Sequence, residues 1–234
     1  MLIGGIQTLT LLDFPGKVAA LIFTAGCNFR CGYCHNPQFV LPEQIKKLAP
    51  NFIPEEKFFH FLDTRKGFLD GVVISGGEPT MHEDLPAFCQ KIKDRGFFVK
   101  LDTNGTNPEV LEKLIEKKLV DFIAMDIKHP LEKYPELVSV SVDPRVLKKS
   151  IRLIKKSELD HEFRTTVLSD YHGKAEIEQI AKAVAGAQKF TLQNFRPAKT
   201  LNPEFSQCQP CTPEQLQDFK KIAEKHIANV EVLG

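Results

Sequence analysis

The sequence predicts an α/β fold, with helices covering a parallel sheet that closes as a partial (β/α)6 barrel. Three observations carry this expectation. Short β-rich runs alternate with amphipathic stretches six times along the 234 residues, which implies right-handed crossovers between parallel strands. The Gly-x-Gly-x-x-Gly fingerprint that would favour the competing doubly wound open sheet is absent after the first strand. Polar clusters at Cys27–His35, Ser75–Pro79, Asp102–Gly105, Asp126–Lys128 and Asn194–Arg196 follow the strand runs, and barrels carry their chemistry at those strand ends.

In chain order, Val18–Thr24 reads as the first strand, a Val/Ile/Phe-rich run that ends at a cysteine-rich loop. The Phe39–Asn51 loop after it reads as an appendage. Pro54–Lys66 is the first predicted helix, with proline in a first-turn position. Gly71–Ser75 is a strand and Glu83–Arg95 its helix; Phe97–Asp102 and Pro108–Lys118 repeat the unit. Asp121–Lys128 and Pro144–Lys156, Glu162–Leu168 and Ala175–Ala187, and finally the strand Lys189–Phe195 continue it. Pro213–His226 reads as one more helix and Asn229–Leu233 as a short terminal strand. The expected division is a barrel over 1–197 and a C-terminal appendage over 198–234, whose helix packs on the barrel.

Hydrophobic residues at 42% and charged residues at 26% suit a globular chain able to bury a sizeable core. With 31 basic against 30 acidic residues the net charge is +1, which argues against nucleic acid or an anionic membrane as partner. The apolar residues between Met1 and Gly16 are interrupted by Asp13 and Pro15 and lack a basic lead. No stretch is long enough to span a bilayer, so a cytoplasmic location is expected.

Of six cysteines, Cys27, Cys31 and Cys34 lie within eight residues, Cys89 stands alone, and Cys208 and Cys211 form a pair. Such tight spacing points to metal or redox chemistry rather than a disulfide framework. Thiolates are soft ligands for iron–sulfur clusters or zinc. Three of them can hold three corners of a cubane and leave the fourth iron open to a substrate. The alternative is a zinc knot, completed by His35 or by Cys208 and Cys211. Cys89, beside Phe88 on an apolar helical face, reads as a small buried hydrophobe.

The full loop, Cys27-Asn28-Phe29-Arg30-Cys31-Gly32-Tyr33-Cys34-His35-Asn36-Pro37, resembles the signature of the radical S-adenosylmethionine enzymes, with Tyr33 as the aromatic before the last cysteine. The match from Asp13-Phe14-Pro15-Gly16-Lys17 through Pro37 is similar to the glycyl-radical-enzyme activating proteins. It is nearest to the activases of anaerobic ribonucleoside-triphosphate reductase, with pyruvate formate-lyase activase as a relative. The resemblance implies a TIM-type partial barrel of the radical S-adenosylmethionine kind. It also implies one site-differentiated 4Fe–4S cluster on Cys27, Cys31 and Cys34, and S-adenosylmethionine chelated to the open iron.

It further implies that Gly76, Gly77 and Glu78 hold the methionine amine, a role a carboxylate can fill by accepting from a cation. Asp102, Thr103 and Asn104 would line the cofactor, and Asp126 with Lys128 would contact it, Lys128 pairing with the methionine carboxylate. Tyr33 and His35 would line the same site. Arg164 and Arg196 could bind carboxylate or ribose oxygens there, or serve only as structural ion-pair members.

The expected reaction is hydrogen abstraction from a glycine of a partner, first an anaerobic ribonucleotide reductase, with a flavodoxin or ferredoxin as electron donor. A barrel of about six strands leaves an opening for a polypeptide loop, and glycine suits the target because no side chain obstructs its Cα. Two alternatives stand beside it: a radical enzyme on a small molecule, such as a 7-carboxy-7-deazaguanine synthase, and a non-catalytic zinc or iron–sulfur module.

Overall fold

The computed structural model describes residues 1–234. The chain forms two compact units by internal contact. The first comprises residues 1–28, 36–103 and 109–123. In it, β1 (Ile3–Thr10) runs antiparallel to β2 (Ala19–Thr24), pairing Ile3 with Thr24 and Thr10 with Ala19. β3 (Gly71–Gly76) and β4 (Phe98–Thr103) then add parallel to β2, in registers Ala19↔Gly71 and Gly71↔Phe98. Ala19–Ile22 and Gly71–Ile74 are buried without alternation, as strands covered on both faces require; the sequence accordingly reads as unbroken apolar runs there.

Helices α1 (Pro42–Leu48), α2 (Glu55–Asp63), α3 (Leu85–Lys93) and α4 (Pro108–Glu116, all but Pro108 in this unit) complete it. Phe58 and Phe59 of α2 meet Phe88 of α3, with ring centroids 5.2–5.5 Å apart. Truncating one such buried ring costs about 3–5 kcal/mol. Cys89 lies fully buried beside them, and burial pushes its thiol up to about 12, as expected of a packing residue.

The second unit comprises residues 29–35, 104–108 and 124–234. The strand β5 (Phe122–Asp126) begins in the first unit and ends in the second. Within the first, Asp121 N–H donates to the Val99 carbonyl (2.8 Å) and its carboxylate accepts from Val99 N–H (2.7 Å). Within the second, Ile127 N–H donates to the Arg164 carbonyl of β6 (Asp160–Val167) at 2.7 Å. β7 (Phe190–Asn194) and β8 (Val230–Leu233) follow in parallel, so the hydrogen-bonded strand order is the chain order, β1 to β8.

Four helices belong to this unit: α5 (Tyr134–Val138), α6 (Pro144–Lys156), α7 (Lys174–Ala183) and α8 (Pro213–Ala223). α6 starts at an Asp143 carboxylate that accepts from Arg145 N–H (2.9 Å) and buries Leu147, Ser150, Ile151 and Ile154, one helical stripe. α8 opens with a Thr212–Gln215 capping box.

The structure adds three elements. β1 is an edge strand whose Gly4-Gly5 pair and exposed Gln7–Leu9 erase the period-two pattern. α1 replaces part of the loop expected over 39–51; it buries none of its residues, so no apolar stripe marks it. α5, at five residues, is too short to show a helical period. No helix is long and apolar enough to cross a membrane.

Candidate cofactor site

In the first unit the residues after β3 fold back on the backbone that leads into Cys27. Gly77 N–H donates to the Thr24 carbonyl (2.8 Å) and Glu78 N–H to the Gly26 carbonyl (2.7 Å). Glycine is required for this approach. Gly76 sits at φ +112°, which L side chains rarely adopt, and a Cβ on Gly77 would overlap the Gly26 carbonyl oxygen. The Glu78 side chain, 1% exposed, accepts at Oε1 from Thr80 N–H (3.1 Å), from the Thr80 hydroxyl and from the Thr103 hydroxyl (2.8 Å). These donors fix the carboxylate in one orientation and tie the ends of β3 and β4 together. Asp102 is engaged by Lys100, whose buried ammonium reaches its Oδ1 at 2.6 Å. Cys27, half-buried, follows Gly26 directly.

In the second unit Cys31 and Cys34 close a turn, Cys34 N–H donating to the Cys31 carbonyl (3.0 Å). Burial pushes the Cys31 thiol up to about 11, and the Lys128 ammonium works against that rise. Tyr33 between them is buried, its hydroxyl has no hydrogen-bond partner, and burial raises its pKa. An orphaned buried hydroxyl is costly unless a bound polar group satisfies it.

Asp126, Lys128 and Arg164 form one ion-pair triad. Asp126 Oδ1 accepts from Arg164 Nε and Oδ2 from Lys128 Nζ, both at 2.9 Å. Burial disfavours the Asp126 charge, but the Arg164 guanidinium and the Lys128 ammonium outweigh it and hold the carboxyl well below its usual range. Lys128 is likewise raised: burial opposes its charge and the Asp126 carboxylate overcomes that. Arg164 therefore takes the ion-pair role in this structure, with Lys128 as its companion.

His35 lies 5.5 Å from the Phe195 ring and, with Thr166, Gln193, Asn194, Arg196 and Leu233, lines a cavity of about 260 Å³. Arg196 is exposed on its rim. Asn104 is a turn residue, its Oδ1 accepting from the Thr106 N–H (3.0 Å) and hydroxyl (2.7 Å), in keeping with the turn chemistry of Asn104-Gly105.

Two residues that the sequence did not single out hold the Lys128 backbone. The Tyr134 hydroxyl accepts from Lys128 N–H (3.0 Å). His172 Nδ1 accepts from Leu168 N–H (3.1 Å), which leaves the proton on Nε2 to donate to the Lys128 carbonyl (3.0 Å). Tyr134 belongs to the short α5 and His172 to a loop, so neither sits in a periodic pattern.

None of the six cysteines is in a disulfide, and no three His, Cys, Asp or Glu side chains are gathered as a preformed metal cage.

The profile of the radical SAM superfamily matches residues 21–184. The chain belongs to the radical SAM superfamily. It is 38% identical over 99% of its length, and 95% of the other protein's, to MJ1227 of Methanocaldococcus jannaschii, a candidate glycyl-radical enzyme activating enzyme. That level of identity across both chains places it in the glycyl-radical enzyme activating branch of this radical SAM superfamily. The pyruvate formate-lyase-activating enzyme of Clostridium pasteurianum is 31% identical over 54% of this chain and 52% of its own. Among solved structures, Streptococcus suis SuiB bound to its precursor peptide SuiA superposes with a TM-score of 0.69 at 15% identity. The fit covers 92% of this chain and 48% of SuiB, so the chain spans about half of that protein. This likeness concerns the fold, the partial barrel of radical SAM enzymes.

Proposed function

We propose that this radical SAM protein reductively cleaves S-adenosylmethionine and abstracts a hydrogen atom from a glycine of a partner glycyl radical enzyme, an anaerobic ribonucleotide reductase first among candidates. A 4Fe–4S cluster on Cys27, Cys31 and Cys34 would supply the electron and, with S-adenosylmethionine on its open iron, the 5′-deoxyadenosyl radical. A flavodoxin or ferredoxin would reduce it.

The observation that carries this reading is the seam between the Gly76-Gly77-Glu78 segment and Thr24–Gly26, which delivers a fixed, buried carboxylate beside the chain entering Cys27. Glu78, oriented by Thr80 and Thr103, would take the methionine ammonium. Lys128, held at its backbone by Tyr134 and His172, would offer the cation for the methionine carboxylate. The donor set fits the group: three cysteines outside any disulfide in a cluster-ligand spacing, with an orphaned Tyr33 hydroxyl between two of them. A partial barrel of the kind radical SAM enzymes share would favour a polypeptide loop over a small molecule, which needs a closed pocket with its own polar anchors.

The test mixes the anaerobically reconstituted, reduced protein and S-adenosylmethionine with an anaerobic ribonucleotide reductase, and separately with a peptide spanning its radical glycine. A glycine-centred doublet by electron paramagnetic resonance, with faster cofactor cleavage than in the protein alone, supports the reading. Turnover of a small metabolite with no glycyl radical on any such partner would overturn it.

A further inference from the structure

Between the two cysteines of the second unit lies Gly32, and a segment from far along the chain presses on it. Leu201 N–H donates to the Cys34 carbonyl (3.1 Å) and Asn202 N–H to the Gly32 carbonyl (2.9 Å), so the carbonyls on either side of Tyr33 are both taken by one strip of backbone. Asn202 then turns the chain: its Oδ1 accepts from Glu204 N–H (3.1 Å) and starts a 3₁₀ turn over Pro203–Gln207. That turn lays the Phe205 ring on Gly32. A Cβ at position 32 would overlap the ring edge, so glycine is the residue that admits Phe205 here.

Phe205 is buried, contacts the Tyr33 ring at 6.3 Å and stacks on Tyr171 at 5.5 Å and 13°. The strip is anchored beyond the ring as well. Cys211 exchanges two hydrogen bonds with the Asn194 side chain (2.9 and 3.0 Å), and the Ser169 hydroxyl donates to the Gln209 carbonyl (2.8 Å).

We propose that residues 200–207 are a brace that sets the conformation of the Cys31–Cys34 turn, with Phe205 as its positioning residue. The inference rests on the cluster reading for its functional meaning, but the mechanical claim concerns the protein itself. A Gly-Tyr dipeptide between two ligands is free to sample many backbone states, and each state separates the thiols differently. Fixing both carbonyls and filling the space over Gly32 removes that freedom before any cluster binds, so the ligands need no reorganisation on loading. The brace comes from the segment expected to be a C-terminal appendage, and it explains why a glycine precedes Tyr33.

Two variants reach the brace from opposite sides: Phe205→Ala removes the ring, and Gly32→Ala pushes it away. In metal-free protein, amide hydrogen exchange at Leu201 and Asn202, which donate to the turn, and at Cys34 within it should rise roughly tenfold or more in each, while β6–β8 keep their protection. After anaerobic reconstitution, both should release iron to a chelator several-fold faster and show an altered electron paramagnetic resonance spectrum of the reduced cluster. Gly32→Ala combined with Phe205→Leu should recover part of the protection, because the shorter side chain makes room for the new methyl group.

Unchanged exchange at Cys34, Leu201 and Asn202 in both single variants overturns the brace. So does protection lost evenly across β6–β8, which would make the segment a general packing element. The expected rise in exchange in both variants, in a protein that never takes up iron, would instead count against the cluster reading and leave the brace standing.

Discussion

Asp126→Asn isolates the electrostatics of the triad, because it keeps the side-chain shape and removes only the charge. Asp126 holds Arg164 and Lys128 at 2.9 Å each, and the side chains of these two cations are 15% and 16% exposed. Without the Asp126 carboxylate the two cations remain together with little water, and the Glu162 carboxylate, 4.0 Å from Arg164, offsets part of their repulsion. Removing one partner of a fully buried pair costs about 3–5 kcal/mol. Asp126 itself is 27% exposed, so solvent screening trims this to roughly 2–3 kcal/mol. In a chain of this size that corresponds to a fall of about 4–12 °C in Tm.

The carboxyl is depressed in the folded state below its ordinary 3.8, so its contribution is present above that value and is lost as pH falls below it. Urea unfolding of the metal-free protein between pH 3 and 7, followed by circular dichroism, should therefore show a wild-type acid limb that is shallower in the variant. The stability gap should be widest at neutral pH. Equal urea midpoints at pH 7 would refute the reasoning and make the triad an incidental surface contact.

Other outcomes follow from the same geometry. Glu78→Ala and Lys128→Ala should retain iron after reconstitution but bind S-adenosylmethionine more weakly by on the order of 2–5 kcal/mol, read by calorimetry; unchanged affinity in both removes them from the cofactor's contacts. Gly77→Ala forces a Cβ onto the Gly26 carbonyl and parts the seam, so it should cost roughly 1–3 kcal/mol in urea unfolding; a wild-type midpoint contradicts the seam. Burial, and then the neighbouring His129, depress His172 to about 4 from 6.5, so stability should decline as pH drops through that window, by about 3 kcal/mol in all. His172→Gln should lose that dependence, and an identical pH profile would remove His172 as its source.

Much of the candidate site was legible because its residues are close in sequence and chemically unusual. Three cysteines in eight residues and a Gly-Gly-Glu after an apolar strand need no tertiary information to be noticed. The strands β2 and β3 were equally plain, since burial on both faces writes itself as the unbroken apolar runs Ala19–Phe23 and Val72–Ile74. What escaped depends on pairing across long separations. The edge strand β1 is half exposed and glycine-rich, and α5 is shorter than two helical turns. The division of labour within Asp126-Ile127-Lys128 also needed structure: its ion partner Arg164 and its backbone partner His172 are 38 and 44 residues distant, in runs with no motif of their own. Phe205 looked like one more apolar residue of a tail until its ring was found on Gly32.

The central claim is that Cys27, Cys31 and Cys34 together hold a redox cluster that cleaves S-adenosylmethionine. The most direct measurement is 5′-deoxyadenosine released on anaerobic reduction, by wild-type protein and by Cys27→Ser, Cys31→Ser and Cys34→Ser, with iron and sulfide assayed on the same samples. The account predicts about four irons per wild-type chain, as one cubane requires, with the nucleoside formed, and loss of most iron and all product in each variant. A wild-type protein that holds only zinc after reducing reconstitution and forms no 5′-deoxyadenosine would contradict it.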